Sequence, residues 1–103
     1  DPVMLNKALE RPRFQMPTLD ELLPELANAK VFTTVDAKSG FWQLELDEES
    51  SKLTTCWTPF GRYRWIRMPM GISPAPEVFQ QRAHELTKGL RNVKVLMDDF
   101  MIF

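Results

Sequence analysis

The segment Val-Lys-Val-Leu-Met-Asp-Asp-Phe-Met-Ile-Phe, residues 93–103, constrains this chain more than any other stretch. Two short apolar runs, free of Gly and Pro, flank the adjacent carboxylates of Asp98 and Asp99. Runs of this kind and length read as strands. Ionised side chains cannot follow them into an apolar interior. The pattern therefore predicts strands over 93–97 and 100–103, with the aspartates in the tight turn between them. Asp also suits turns on its own account, since it tolerates left-handed backbone and bonds its neighbours' main chain. On spacing alone that turn role is the favoured one. The competing reading is that two like charges side by side are there to share a cation.

The rest of the chain supplies further elements. Thr18-Leu-Asp-Glu21 matches a capping box and predicts a helix to about Asn28, with Leu19, Leu22, Leu23 and Leu26 on one face. Pro24 lies inside it, unfavourable by roughly 3 kcal/mol unless the helix bends or the proline falls in the first turn. Residues 30–37 are β-branched and aromatic and predict a strand ending at Asp36. A turn through Gly40 leads to a second strand near Leu44–Leu46, and the polar stretch 47–53 reads as one helical turn or a loop. The strongest hairpin signal covers strands 53–58 and 62–68, joined by Pro59-Phe60-Gly61. Alternation then puts Arg62 and Arg64 on one face, Tyr63 and Trp65 on the other. A helix opened by Ser73 and closed near Gly89 carries an apolar stripe of Val78, Phe79, Ala83, Leu86 and Leu90, with His84 on its solvated side. Residues 1–17 are irregular apart from a helical turn near 5–9, with Pro12 and Pro17 as punctuation. Helices and strands mix without strict alternation, so the expected class is α+β with a largely antiparallel sheet.

At 103 residues the chain suits one domain, 1–103, and its 44 % hydrophobic and 26 % charged residues suit a globular one. A net charge of −1 gives no global sign of a nucleic-acid partner. Any such contact must be local, and the Arg62–Arg64 strip fits nucleic-acid phosphates or an ordinary exposed hairpin equally well. The single cysteine, Cys56, excludes an internal disulfide and a cysteine-built zinc site, and reads as a small buried hydrophobe. No apolar run approaches the ~18 residues of a membrane span, and the start has no signal-peptide pattern. An intracellular chain, cut from within a longer protein, is the expectation.

Three acidic positions carry possible chemistry. Asp36 ends one strand and Asp98 and Asp99 sit at a hairpin tip, and long-range strand pairing could bring them together. Carboxylates gathered in this way suit Mg²⁺, which takes one or two of them plus substrate phosphate oxygens and keeps waters. Two such ions about 4 Å apart stabilise the attacking and leaving oxygens of phosphoryl transfer.

The stretches "VFTTVDAKSGFWQLEL", "TPFGRYRWIRMPMGISPAPEVFQQ" and "VLMDDFMIF" resemble three successive motifs of reverse transcriptases, most of all those of Gypsy-type long-terminal-repeat retrotransposons and their retroviral relatives. "DPVMLNKAL" and "MPTLDELLPELANAKVF" are similar to the segment before them, so the resemblance runs nearly end to end. It implies a palm with part of the fingers, the thumb and ribonuclease H lying outside residues 1–103. It implies Asp36, Asp98 and Asp99 as catalytic carboxylates holding two Mg²⁺ ions (Mn²⁺ as substitute), with the Ala37 carbonyl as a further ligand. Phe41 falls at the position of an aromatic gate against the ribose 2′-OH, although by itself it reads as a core aromatic beside Trp42. Met70 and Gly71 fall in a loop beneath the incoming base, and Leu96 and Met97 near the primer end; on this reading the Arg62–Arg64 strip, which fits an ordinary exposed hairpin equally well, would face template phosphates. Implied partners are an RNA or DNA template with its primer, deoxynucleoside triphosphates and the other polyprotein segments, with no membrane; the implied setting is the cytoplasm or a retroelement particle.

Two positions depart from the family pattern. Leu96 replaces the tyrosine that usually opens the aspartate motif, and Val3 stands where a basic residue often reaches the triphosphate. These departures keep two alternatives open: a catalytically silent transposon remnant acting as a nucleic-acid- or protein-binding module, and a structural domain whose aspartates hold Ca²⁺. For residues 1–103 alone, little processive synthesis and marginal stability are expected. Met101, Ile102 and Phe103 are expected to have few partners.

Overall fold

The computed structural model describes residues 2–12 and 18–103. Pro17 lies outside the described residues, as does the Leu19 side chain. The described residues form two compact units, one of residues 2–11 with 39–75, the other of residues 12 and 18–38 with 76–103. Together they hold four α-helices and five strands, all paired antiparallel.

The second unit is built on a three-stranded sheet. Strands β1 (Thr33–Asp36), β4 (Val93–Leu96) and β5 (Asp99–Ile102) lie in the order β1-β5-β4. The expected hairpin is present, with Met97 and Asp98 as its two loop residues. Expectation and structure part at the last residues: β5 is the central strand, and Met101 is paired to Thr34 on one side and Lys94 on the other. The long-range pairing with β1 supplies the partners that local reading could not see.

Two helices accompany this sheet. Helix α2 (Leu19–Leu26) starts at a complete capping box, in which the Glu21 N–H donates to Thr18 Oγ1 and the Thr18 N–H to Glu21 Oε2. It ends short of Asn28 and tolerates Pro24 inside it. Leu22 is buried but Leu23 is half exposed, and Glu25 pairs with Lys94 of β4 at 2.7 Å. Helix α4 (Ala75–Thr87) buries Ala75, Phe79, Gln80 and Ala83. Leu86 and Leu90, expected in the apolar stripe, are exposed. A 3.6-residue period marks a helix face but not how far along it a partner extends.

In the first unit, α1 (Val3–Ala8) is tied to the loop before α4 by one side chain. Asn6 donates to the Gly71 carbonyl and accepts from the Ser73 N–H, both at 2.8 Å. A 3₁₀ turn (Gly40–Gln43) and helix α3 (Glu48–Leu53) precede the hairpin of β2 (Cys56–Thr58) and β3 (Gly61–Tyr63). The expected strand at 44–46 reduces to a bridge, Glu45 opposite Arg67. Residue 53 belongs to a helix rather than a strand, because Asp47 caps α3 through the Ser50 N–H at 2.7 Å. Cys56, expected in the core, is exposed on its short strand. Its alternation pattern was that of a strand, but this two-stranded ribbon has no buried face there.

Candidate active site

Three carboxylates belong to the β1-β5-β4 sheet. Asp36 closes β1, and its Cα partner across the ladder is Asp99, the first residue of β5. Asp99 is at the same time the partner of Leu96 on β4. Side chains of directly paired residues share a face, so Asp36, Asp99 and Leu96 form one row across the end of the sheet. Val35, Phe100 and Val95 form the next row, on the opposite face, where Val95 is buried. One residue beyond Asp36, the Ala37 N–H donates to the Asp98 carbonyl at 2.9 Å. The Asp36 end of β1 is therefore laced directly to the aspartate turn.

Leu96 and Asp99 are paired, which leaves only Met97 and Asp98 to reverse the chain. Met97 has φ 57° and Asp98 is not left-handed. A positive φ at the first central residue alone is the primed geometry whose twist matches a hairpin, and glycine is its usual occupant. Methionine there is strained by about 1–2 kcal/mol. Two bonds from the helix-α4 residue Gln80 oppose that strain. Its Oε1 accepts from the Met97 N–H at 2.8 Å, and its Nε2 donates to the Val95 carbonyl at 3.0 Å. Sequence reasoning passed over Gln80. The one available signal was an uncharged polar residue directly after Phe79, at the margin of the buried stripe.

Asp36, Asp98 and Asp99 are all exposed. Among the described residues no three His, Cys, Asp or Glu side chains converge closely enough to hold a metal ion on their own. The donor chemistry nevertheless fits a hard cation of the Mg²⁺ kind, whose usual complement is one or two carboxylates with the remaining positions left to water and phosphate oxygens. Paired carboxylates on an open face leave those positions free.

The remaining predicted residues lie in the first unit. Phe41 is half-buried in the 3₁₀ turn, next to Trp42, whose ring stacks on Trp65 at 6.3 Å between centroids. Met70 is exposed, and Gly71 has φ +90°, a conformation that L side chains rarely adopt. Arg62 and Arg64 do not form the expected strip on one strand, because β3 ends at Tyr63. Arg62 instead lies over the Trp57 ring at 5.2 Å, its cross-strand partner. The electrostatic pull of a ring face on a guanidinium, together with direct cross-strand opposition, accounts for this pairing.

An antiparallel sheet with an acidic row at its hairpin end is the fold and candidate site of this chain, and similarity to known proteins gives the family. Residues 3–103 match the family model described as reverse transcriptase (RNA-dependent DNA polymerase), and the chain belongs to that family. It is 39 % identical over 100 residues to the enzymatic polyprotein of Cauliflower mosaic virus (strain Strasbourg), covering 96 % of this chain and 15 % of that protein. Identity is again 39 %, over 101 residues, to the retrovirus-related Pol polyprotein from transposon 297 of Drosophila melanogaster, with 96 % and 10 % covered. The chain thus spans a small part of the curated relatives it matches. Among solved structures, the fold matches a foamy viral protease-reverse transcriptase in complex with double-stranded DNA at TM-score 0.83 and 24 % identity, covering 96 % of this chain and 18 % of that one. The prototype foamy virus protease-reverse transcriptase CSH mutant follows at 0.79 and 29 %, with 96 % and 13 % covered. A foamy viral enzyme in complex with RNA/DNA hybrid matches at 0.63 and 25 %, with 70 % and 10 % covered.

Proposed function

We propose that this chain is the palm and part of the fingers of a reverse transcriptase from a Gypsy-type retroelement, performing template-directed DNA synthesis within a longer polyprotein. The observation that carries this reading is the register of β1 against β5, which sets Asp36 opposite Asp99 and bonds Ala37 to Asp98. The similarity to the transposon 297 polyprotein supports the retroelement assignment. The foamy-virus relatives, captured with DNA and with RNA/DNA hybrid, suggest a primer–template as the partner. Thumb and ribonuclease H are supplied by other segments of the polyprotein, and the work is done in the cytoplasm or a retroelement particle.

Asp36, Asp98 and Asp99, with the Ala37 carbonyl, would hold two Mg²⁺ ions. When bound, the ions supply charge stabilisation for the attacking 3′ oxygen and the leaving pyrophosphate. The chain's own contribution is placement. The row on the sheet fixes the carboxylates, so that little reorganisation remains at the moment of reaction. Phe41 would close the space beneath the deoxyribose, and Met70 and Gly71 would carry the incoming base. Leu96 and Met97 would lie along the primer end, with Arg62 and Arg64 toward the template.

The test is primer extension by the full reading frame that encodes this chain, with an RNA template, deoxynucleotides and Mg²⁺, beside Asp98→Asn. Product that vanishes in the variant supports the reading. Product that persists removes Asp98 from the site. A second reading, a silent remnant that binds nucleic acid or protein, draws on Leu96 and Val3. It predicts no product from a folded wild-type protein even after Leu96→Tyr.

A further inference from the structure

We propose that Gln80 is a positioning residue for the aspartate turn, its carboxamide standing in for the peptide group of a neighbouring strand and holding Asp98 and Asp99 ready for a cation. The proposal deepens the polymerase reading above and rests on it for what the cation does.

Strand β4 is an edge of its sheet, with β5 on its other side. An edge exposes unpaired N–H and C=O groups at alternate residues. Val95 is such a residue and Met97, the first residue of the turn, follows two positions on; the groups Gln80 engages are the carbonyl of the one and the N–H of the other. A carboxamide carries one acceptor and one donor group in a plane, as a peptide does. Gln80 therefore completes the ladder where no further strand follows.

The bonds are placed where they act on the acidic tip. Gln80 is 1 % exposed and is, among the described residues, the largest fully buried side chain. Both of its polar ends are used, and a buried carboxamide that let go would find no water. Met97 is 48 % exposed, so its amide, once released, would be hydrated and its strained φ free to relax. Asp98 sits between two tethers: the Met97 N–H is held to α4, and the Asp98 carbonyl to the Ala37 N–H at the end of β1. Its Cα is thus fixed from both sides before any ligand arrives. Outer contacts of this kind, which orient ligands without touching the ion, commonly govern affinity.

The experiment uses the protein from the full reading frame, with Mn²⁺ as the probe, its binding read by electron paramagnetic resonance. Hydrogen exchange reports on the Met97 amide, and thermal unfolding on integrity. In the wild type the Met97 amide exchanges slowly although the residue is half exposed. Gln80→Met, of similar size but unable to make either bond, loses that protection and weakens Mn²⁺ binding by about tenfold, the lower end of what such outer contacts contribute. Gln80→Glu takes up a proton when buried, so it keeps an acceptor and a donor and recovers most of the affinity. A folded Gln80→Met protein with wild-type Mn²⁺ affinity overturns the proposal. So does a freely exchanging Met97 amide in the wild type, which decides the matter even where Gln80→Met does not fold. Failure of the polymerase reading has its own signature: Mn²⁺ bound through Asp98 and Met97 protected, with no primer extended. That outcome leaves the role of Gln80 supported.

Discussion

The Ala37 N–H and the Asp98 carbonyl are joined at 2.9 Å, one step beyond the last paired residues of β1 and β5. This bond ties the residue after one carboxylate to the carbonyl of another. The alignment of Asp36 with Asp99 is therefore a property of the backbone ladder.

Replacing Asp36 by Asn keeps size and ladder while removing charge. Synthesis by the full-length protein should fall by roughly 10²–10³-fold, a few kcal/mol of lost charge stabilisation. The thermal midpoint should stay near wild type, because Asp36 is exposed. Single-turnover primer extension beside a thermal melt checks both halves.

Phe41→Ala should relax sugar selection. The ratio of deoxynucleotide to ribonucleotide incorporation, measured in competition on one template, is expected to fall by about tenfold or more, since selection by clash ends when the ring is gone. An unchanged ratio would assign Phe41 to packing beside the Trp42–Trp65 stack.

Asn6→Leu should destabilise the first unit. The Ser73 N–H and the Gly71 carbonyl both lose their side-chain partner; neither is fully buried and water can replace it, so the cost is about 0.5–1.5 kcal/mol for each bond. Gly71→Ala should act on the same loop through its φ of +90°. Urea unfolding, read as a shift of midpoint at constant slope, measures both.

Acid should loosen α3 through its cap. The Ser50 N–H, and then its hydroxyl, hold the Asp47 carboxyl below its ordinary value of 3.8. A depressed folded value means that the cap's contribution is present above the unfolded pKa of 3.8 and is lost as pH falls below it through the lower folded value. Asp47→Asn keeps an acceptor without titrating, so its urea midpoint should lose less over that window than the wild type's.

Much of this architecture was legible because the signals are local. The capping box at Thr18 needs four residues, and the β4–β5 hairpin needs its two apolar runs and a turn. Asp36 at a strand end and the aspartate pair at a hairpin tip were also readable, each by itself. Their alignment was not, since register between distant strands leaves no mark in either one. Gln80 was missed for the same reason: its role is written in the unpaired groups of β4. Arg62 and Arg64 show the reverse error, in which a two-residue period was extended past the end of a three-residue strand.

The strand order β1-β5-β4 also bears on how the molecule comes to exist. The β4–β5 hairpin closes over two residues and can form in about 1–10 μs. Strand β1, made early, has no sheet partner until β5 has followed the whole of the first unit's hairpin and helix α4. Non-local pairings of this kind form late, after the loop entropy between them has been overcome. Asp36 thus meets Asp98 and Asp99 late in assembly, and a chain folded halfway presents Asp36 apart from the aspartate pair of the hairpin.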